Sequence, residues 1–248
     1  MTGTYRLAGL NIAITSVHDT VQRMCEAYRT EDAADVAVES TEEDIRFERA
    51  RMTRENERTG TPAQTFSDPY LETLAVYRRI SERLPDFDAF LMHGSCLAAD
   101  GEAFLFTAKS GTGKSTHARL WRETLGERVI MVNDDKPLIR FLDGRPFAFG
   151  TPWDGKHRLS SNTAVPLRAV CILERGEQNR IVPITPSEAY PKLVQQIYRP
   201  LDGAAMAKTL TLIDRLSAAA ALWRMECNMD PEAARMAYAA MHDGIGKE

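Results

Sequence analysis

The sequence predicts a mixed α/β fold, with a small α+β portion over residues 1–86 and a larger portion over 87–248 that ends in helices. Three observations predict it. From Phe87 onward, short apolar runs alternate with Gly-, Asp- and Pro-containing turns, as strands do. One of these runs leads directly into a glycine-rich loop and then a helical pattern, at residues 103–125. On either side of this block, apolar residues recur at helical spacing.

Taken in order, residues 5–14 read as a first strand. Arg6 precedes the run Leu7-Ala-Gly-Leu-Asn-Ile-Ala-Ile14, which is short and broken at Asn11, unlike a signal peptide. Thr20 to Tyr28 reads as a short helix, and Asp35-Val-Ala-Val-Glu39 alternates as a strand. Residues 41–58 carry both signs of charge, which predicts a helix with a solvated face rather than a binding tail. Pro69 to Leu84 is amphipathic, with Leu71, Leu74, Val76, Tyr77, Ile80 and Leu84 forming an apolar stripe.

Ala89 to Leu97 reads as one strand. Ala98-Ala-Asp-Gly-Glu102 has hairpin turn chemistry, and Ala103 to Thr107 returns as the second arm. Residues 115–125 follow as a helix, with Ala118, Trp121 and Leu125 on one face. Arg128 to Val132 is a strand ending in Asn133-Asp134-Asp135. Pro137–Phe141 and Pro146–Phe149 pair across Leu142-Asp-Gly144, and Leu167–Leu173 is expected to pair with Arg180–Ile184. Residues 186–198, 203–226 and 231–242 read as helices, the last with Asp230 as cap and Pro231 in its first turn. The apolar face of 203–226 offers a surface to the core or to a second subunit of a homo-oligomer.

Composition narrows the classes of function. The 248 residues hold 31 Lys and Arg against 35 Asp and Glu, a net charge of −4, which favours neither a nucleic-acid nor an anionic-membrane partner. Cys25, Cys96, Cys171 and Cys227 are far apart and form no C-x-x-C pair, so neither a zinc site nor a disulfide framework is expected, and a reduced cytoplasm is. No apolar run approaches the roughly 18–20 residues of a membrane helix.

The chemistry-bearing motif is Ala108-Lys-Ser-Gly-Thr-Gly-Lys-Ser115. Such a pattern arises by chance in roughly 2% of chains this long, and its position between a strand and a helix lowers that further. Each residue type has a reason. Gly111 and Gly113 let backbone N–H groups of Ser110 to Thr116 curl around phosphate oxygens without a Cβ in the way. The helix N-terminus adds its positive dipole end. Lys114 supplies a point charge to β- and γ-phosphates, and Ser115 a hydroxyl to Mg²⁺. ATP, or another nucleoside triphosphate, is thus the expected ligand together with Mg²⁺. The strand before the loop is the second arm of a tight hairpin, so its neighbour is antiparallel and the sheet must be mixed.

His93-Gly94, the hairpin, the loop 108–115 and Asn133-Asp-Asp135, in this order, resemble the catalytic domain of bacterial HPr kinase/phosphorylase, a family related in structure to phosphoenolpyruvate carboxykinase. The resemblance covers roughly residues 88–185. It implies an HPr-kinase-like core and a P-loop phosphotransferase acting on a serine of a small protein or peptide, or on a small hydroxy compound. It also implies roles: Lys114 and Ser115 on phosphate and metal, Asp134 as the acid/base aspartate, Asp135 on Mg²⁺ or the transferring phosphate, and His93 near that acid/base aspartate, orienting it. Neighbours in an extended segment point to opposite sides, so the two aspartates take different roles; which takes which stays open.

The sequence departs from that family after the Asp-Asp strand. Where the family carries a Glu-x-Arg-Gly-Leu-Gly-like signature, this chain reads Arg145-Pro-Phe-Ala-Phe-Gly-Thr-Pro-Trp-Asp-Gly-Lys-His-Arg158, with no matching glutamate. HPr itself and the phosphorolysis of its phosphoserine are therefore not implied. Within this segment Lys156 is the candidate for a second cation on the transferring phosphate, Asp154 for the missing carboxylate and Trp153 for a flat surface. Arg199, between two helices, is a further candidate for phosphate or substrate contact. The missing glutamate also raises a second reading, a nucleotide-binding regulatory module with reduced catalysis. A carboxykinase-like decarboxylating enzyme is disfavoured by chain length.

Overall fold

The computed structural model describes residues 1–60 and 65–244, which form two compact units, Met1–Arg83 and Leu84–Glu248. In the first unit, β1 (Thr2–Leu7) and β2 (Leu10–Thr15) form a hairpin where a single strand was expected. Ala8 and Gly9 both have positive φ, 51° and 71°, and turn the chain in the middle of the apolar run. After α1 (Thr20–Cys25), β3 (Val36–Glu39) pairs parallel with β2.

Two helices, α2 (Glu42–Thr59) and α3 (Asp68–Arg83), complete this unit. Thr41 and Asp44 form a capping box at the start of α2. The charge on α2 is not all solvated. Asp44 and Glu48 are buried and both accept from Arg78 of α3, at 2.6 and 2.8 Å. Glu72 of α3, fully buried, accepts from the backbone N–H groups of Val17 and His18 and from the Ser40 hydroxyl.

The second unit is built on β4 (Ala89–Leu91), β5 (Ser95–Ala99), β6 (Glu102–Thr107), α4 (Lys114–Leu125), β7 (Val129–Asn133), β8 (Leu138–Leu142), β9 (Arg145–Phe149), β10 (Ala164–Arg175), β11 (Arg180–Pro183), α5 (Pro186–Val194), α6 (Gly203–Ala219), β12 (Ala221–Cys227) and α7 (Glu232–Tyr238). The strand order is β4-β8-β9-β10-β6-β5-β7, and β12 adds to β10 with β11 outside it. The sheet is mixed, as the hairpin demanded: β6 is antiparallel to β5 and parallel to β10.

Three expectations are corrected. The run 89–97 is two strands, because the chain leaves the sheet at Met92-His93-Gly94. An added Cβ at Gly94 would lie 2.8 Å from the Phe106 carbonyl oxygen, so only glycine lets the chain pass there. The stretch 203–226 is helix only to Ala219; Ala220 turns to extended geometry and β12 follows. That strand inserts between β10 and β11, so the predicted pairing of those two does not form.

Alternation along β5 and β6 divides the core into two layers. Cys96, Ala98, Ala103 and Leu105 pack with Leu193 of α5 and Leu212, Ile213 and Leu216 of α6. Leu97, Phe104 and Phe106 pack on the opposite face with Ala118 and Trp121 of α4 and with Ala233, Ala234 and Ala237 of α7. With both faces covered, these strands read as continuous apolar runs. Trp121 meets the rings of Phe104 and Phe106 at 5.3 and 5.1 Å and donates its indole N–H to Nε2 of His117 at 3.1 Å. Burial pushes the His117 pKa down to about 4, so the ring is a neutral acceptor for Trp121 one turn further along α4, and it meets the Phe106 ring of β6 at 4.6 Å. Among the described residues no helix is long and apolar enough to cross a membrane, and all four cysteines are unpaired.

Candidate functional site

Strand β6 delivers the glycine-rich loop. It is buried from Ala103 to Thr107, and α4 begins at Lys114, so the loop Ala108–Gly113 is anchored at both ends. Gly111 and Gly113 have φ of 77° and 122°, and an added Cβ at either meets nothing within 4 Å. The backbone conformation, rather than space, requires glycine there. Gly113 is the N-cap of α4 and makes no side-chain capping bond, so the first N–H groups of the helix are left to another acceptor.

Lys114 is buried, and its ammonium group donates to the carbonyls of Ala108 and Lys109 at 3.0 and 3.4 Å. Burial pushes its pKa down, and the charges of Asp135 and Asp134 oppose that loss. The Ser115 side chain is exposed and that of Thr116 half-buried; neither hydroxyl bonds another described residue. Outside the loop, Arg175 at the end of β10 donates to the carbonyls of Gly111 and Thr112. Arg175 thus braces these two carbonyls from outside, while the Thr112 N–H turns back to the Lys109 carbonyl at 3.3 Å.

The acid pair follows β7. Asn133, fully buried, donates from its amide to Thr151 and to the Trp153 carbonyl, and its Oδ1 accepts from the N–H groups of Asp135 and Lys136. This one side chain turns the chain after the strand and pins the 151–153 segment beside it. Asp134 is buried, and its Oδ1 accepts from the Ser95 hydroxyl at 2.7 Å. Among the described residues it has no other hydrogen-bond donor and no ion pair.

Asp135 has a different environment. It pairs with Nε2 of His93 at 3.4 Å and with the Lys136 ammonium group. Burial pushes its pKa up, but the His93 and Lys136 contacts outweigh this and hold it at about 2. His93 therefore stands on Asp135, whereas the resemblance implied a place beside Asp134. The histidine is fixed from behind: its N–H donates to the Gln196 carbonyl at 2.6 Å, its Nδ1 lies 3.3 Å from Oε1 of Gln196, and its carbonyl accepts from the Thr107 hydroxyl.

Within the 150–158 segment Gly155 lies against Asp134, an added Cβ falling 3.1 Å from its Oδ2. Lys156, His157 and Arg158 are exposed beyond it, and the Lys156 side chain makes no bond to another described residue. Two expectations change here. Trp153 is buried rather than presented as a flat surface. Asp154 accepts from the N–H of Ser160 at 3.2 Å, a bond within its own loop. Arg199 is exposed, next to the Ile197 and Tyr198 backbone that bonds Met92 and Leu91.

Structure thus gathers the loop residues Ser110 to Thr116, His93, Asp134 and Asp135 at one end of the sheet, with Lys156 on the neighbouring loop. It adds Ser95, Asn133, Lys136, Arg175 and Gln196, which sequence reasoning missed. Asn133 alone had a local signal, an Asx residue closing a strand. Among the described residues no group of three or more His, Cys, Asp or Glu side chains is gathered as a metal site.

A mixed α/β unit with an anion-receptive strand–loop–helix junction facing two aspartates is the class that fold and site define. The chain belongs to the family described as SynChlorMet cassette protein ScmC, whose model matches residues 70–225. No curated protein sequence matches it. Among solved structures, the HPr(Ser) kinase/phosphatase from Coxiella burnetii is similar at 13% identity and a TM-score of 0.28, over 52% of this chain and 97% of that chain.

Proposed function

We propose that this chain is a Mg-nucleotide-dependent phosphotransferase that moves the γ-phosphate of ATP, or of another nucleoside triphosphate, to a hydroxyl. The acceptor is a serine of a small protein or peptide, or a small hydroxy compound. The observation that carries this reading is the buried Lys114, whose ammonium group is held on the Ala108 and Lys109 carbonyls of the glycine-rich loop at 3.0 and 3.4 Å, with Asp134 and Asp135 at the same end of the sheet. A cation and two acids at an anion-receptive loop are the parts that phosphoryl transfer uses.

The residues fit a divalent cation. Asp134 is a buried carboxylate with a single neutral donor, a costly arrangement unless a positive charge compensates it. Mg²⁺ usually takes one or two carboxylates plus phosphate oxygens; Asp135 and the Ser115 hydroxyl would hold it, and when bound it would neutralise charge on the phosphate oxygens. The chain's own groups do the rest. Loop N–H groups and Lys114 hold the β- and γ-phosphates. Asp134, oriented by Ser95, takes the proton of the acceptor hydroxyl as its oxygen bonds the γ-phosphorus and the bond to the β-phosphate oxygen breaks. His93 and Lys136 keep Asp135 ionised, and Lys156 extends to the transferring phosphate.

Asp134→Asn tests the assignment. Binding of Mg-ATP is expected to persist while transfer falls about 10²–10⁴-fold; undiminished transfer contradicts the role of Asp134 as base. A second reading, a regulatory nucleotide-binding module, is favoured by the absent signature glutamate together with the engagement of Asp154 in its own loop. Nucleotide binding without transfer to any acceptor distinguishes it.

A further inference from the structure

We infer that the cleft between the loop and the end of α5 receives the nucleoside of the phosphate donor, so that the phosphates cross the loop from this cleft toward the acid pair. The inference rests on the phosphotransferase reading. The cleft has a volume of about 430 Å³, and its walls include Lys109, Thr112, Leu173, Arg175, Lys192 and Gln195. Small-molecule sites fall at roughly 300–1,000 Å³.

Topology assigns it. The order β10-β6-β5-β7 puts the loop-bearing β6 between two flanks. On one flank, Glu174 and Arg175 at the end of β10 wall the cleft. On the other, beyond β5, Asp134 and Asp135 follow β7. A loop that cradles the middle of a triphosphate with its transferring end toward the acids leaves the other end, which carries the nucleoside, on the cleft side. An acceptor in the cleft is disfavoured by distance. Neighbouring strands lie about 4.8 Å apart, so roughly 10 Å separates even β6 from β7, whereas a base must come within about 2.6–3.2 Å of the hydroxyl it deprotonates.

The walls suit a nucleoside. Ile172 and Leu173 are apolar. The Arg175 guanidinium, held on the loop carbonyls, offers a planar cationic face of the kind that stacks on aromatic rings. The Gln195 side chain is exposed and bonds no other described residue, leaving an amide donor and acceptor for a base edge. Lys192 is engaged by Glu174, which keeps that carboxylate from repelling the phosphates.

The test compares binding of ATP and of inorganic tripolyphosphate, each with Mg²⁺, to the full chain by calorimetry. Wild type is set beside Gln195→Trp and Gln195→Phe, which fill the cleft to two extents from the end of α5 and leave the Lys192–Glu174 pair in place, with folding checked by circular dichroism. Wild type is expected to bind ATP more tightly than tripolyphosphate. Each ring is expected to weaken ATP at least tenfold and to leave tripolyphosphate within twofold. ATP affinity unchanged in a folded variant overturns the inference, as does an equal loss for both ligands, which would place the effect on the loop. A wild type that binds neither ligand contradicts the phosphotransferase reading itself, and this inference with it.

Discussion

The Ser95 hydroxyl donates to Oδ1 of Asp134 at 2.7 Å, and it is the single hydrogen-bond donor to that buried carboxylate among the described residues. A buried charge so thinly compensated is destabilising in the unliganded protein and useful once a cation and a substrate hydroxyl arrive. Asp134→Asn is therefore expected to raise the stability of the free protein by about 1 kcal/mol while lowering transfer about 10²–10⁴-fold. Thermal unfolding without and with Mg-ATP checks this. A large loss of stability would mean that Asp134 is needed by the fold.

Removing the donor has the opposite effect. Ser95→Ala leaves the carboxylate without its partner and is expected to cost about 1–3 kcal/mol. Chemical denaturation in the presence of EDTA measures it, and a neutral result would place another donor at Asp134.

Arg175 braces the loop from outside through the carbonyls of Gly111 and Thr112. Arg175→Ala is expected to weaken Mg-ATP binding about tenfold, or about 1.4 kcal/mol, within the range for bonds from a charged donor. The melting temperature should hardly move, since the side chain is exposed. Calorimetric titration decides; unchanged affinity would show that the loop holds its shape unaided.

In the first unit, Asp44 carries a pH signature. Burial pushes its pKa up, but hydrogen bonds from Arg79, Arg78 and Thr41 outweigh that and lower it from 3.8 to about 2. A folded pKa below the unfolded one gives stability that is present above the unfolded value and lost as pH falls through the folded one. The window therefore runs from 3.8 down to about 2, and the contribution is about 2 kcal/mol. Denaturant unfolding across that range should fall more steeply with acid for wild type than for Asp44→Asn; equal slopes would contradict the network.

What the sequence made legible was local. The loop 108–115 is a contiguous motif whose spacing carries its own geometry, and Asp100-Gly101 and Asp143-Gly144 take the positive φ values that their hairpin chemistry foretold. What it concealed was set by distant parts of the chain. Ala220 to Met225 continues the alanine- and leucine-rich pattern of α6, and only its place between β10 and β11 makes it a strand. Gln196 reaches His93 across 103 residues, and Arg175 reaches Gly111 across 64, so neither could be read from spacing. The partner of His93 turned on a single residue: at the end of β7 the chain rotates around Asn133, which presents Asp135 to His93 and Asp134 to Ser95.

The central claim is tested most directly by transfer of label from γ-labelled ATP with Mg²⁺ into a small-molecule and peptide-enriched extract of the source cells, for wild type beside Lys114→Ala and Asp134→Asn. The account predicts a labelled product with wild type that falls by about 10²–10⁴-fold with either variant, and the product identifies the acceptor. Labelling that persists at the wild-type level in both variants would contradict a phosphotransferase centred on this loop and its facing aspartates.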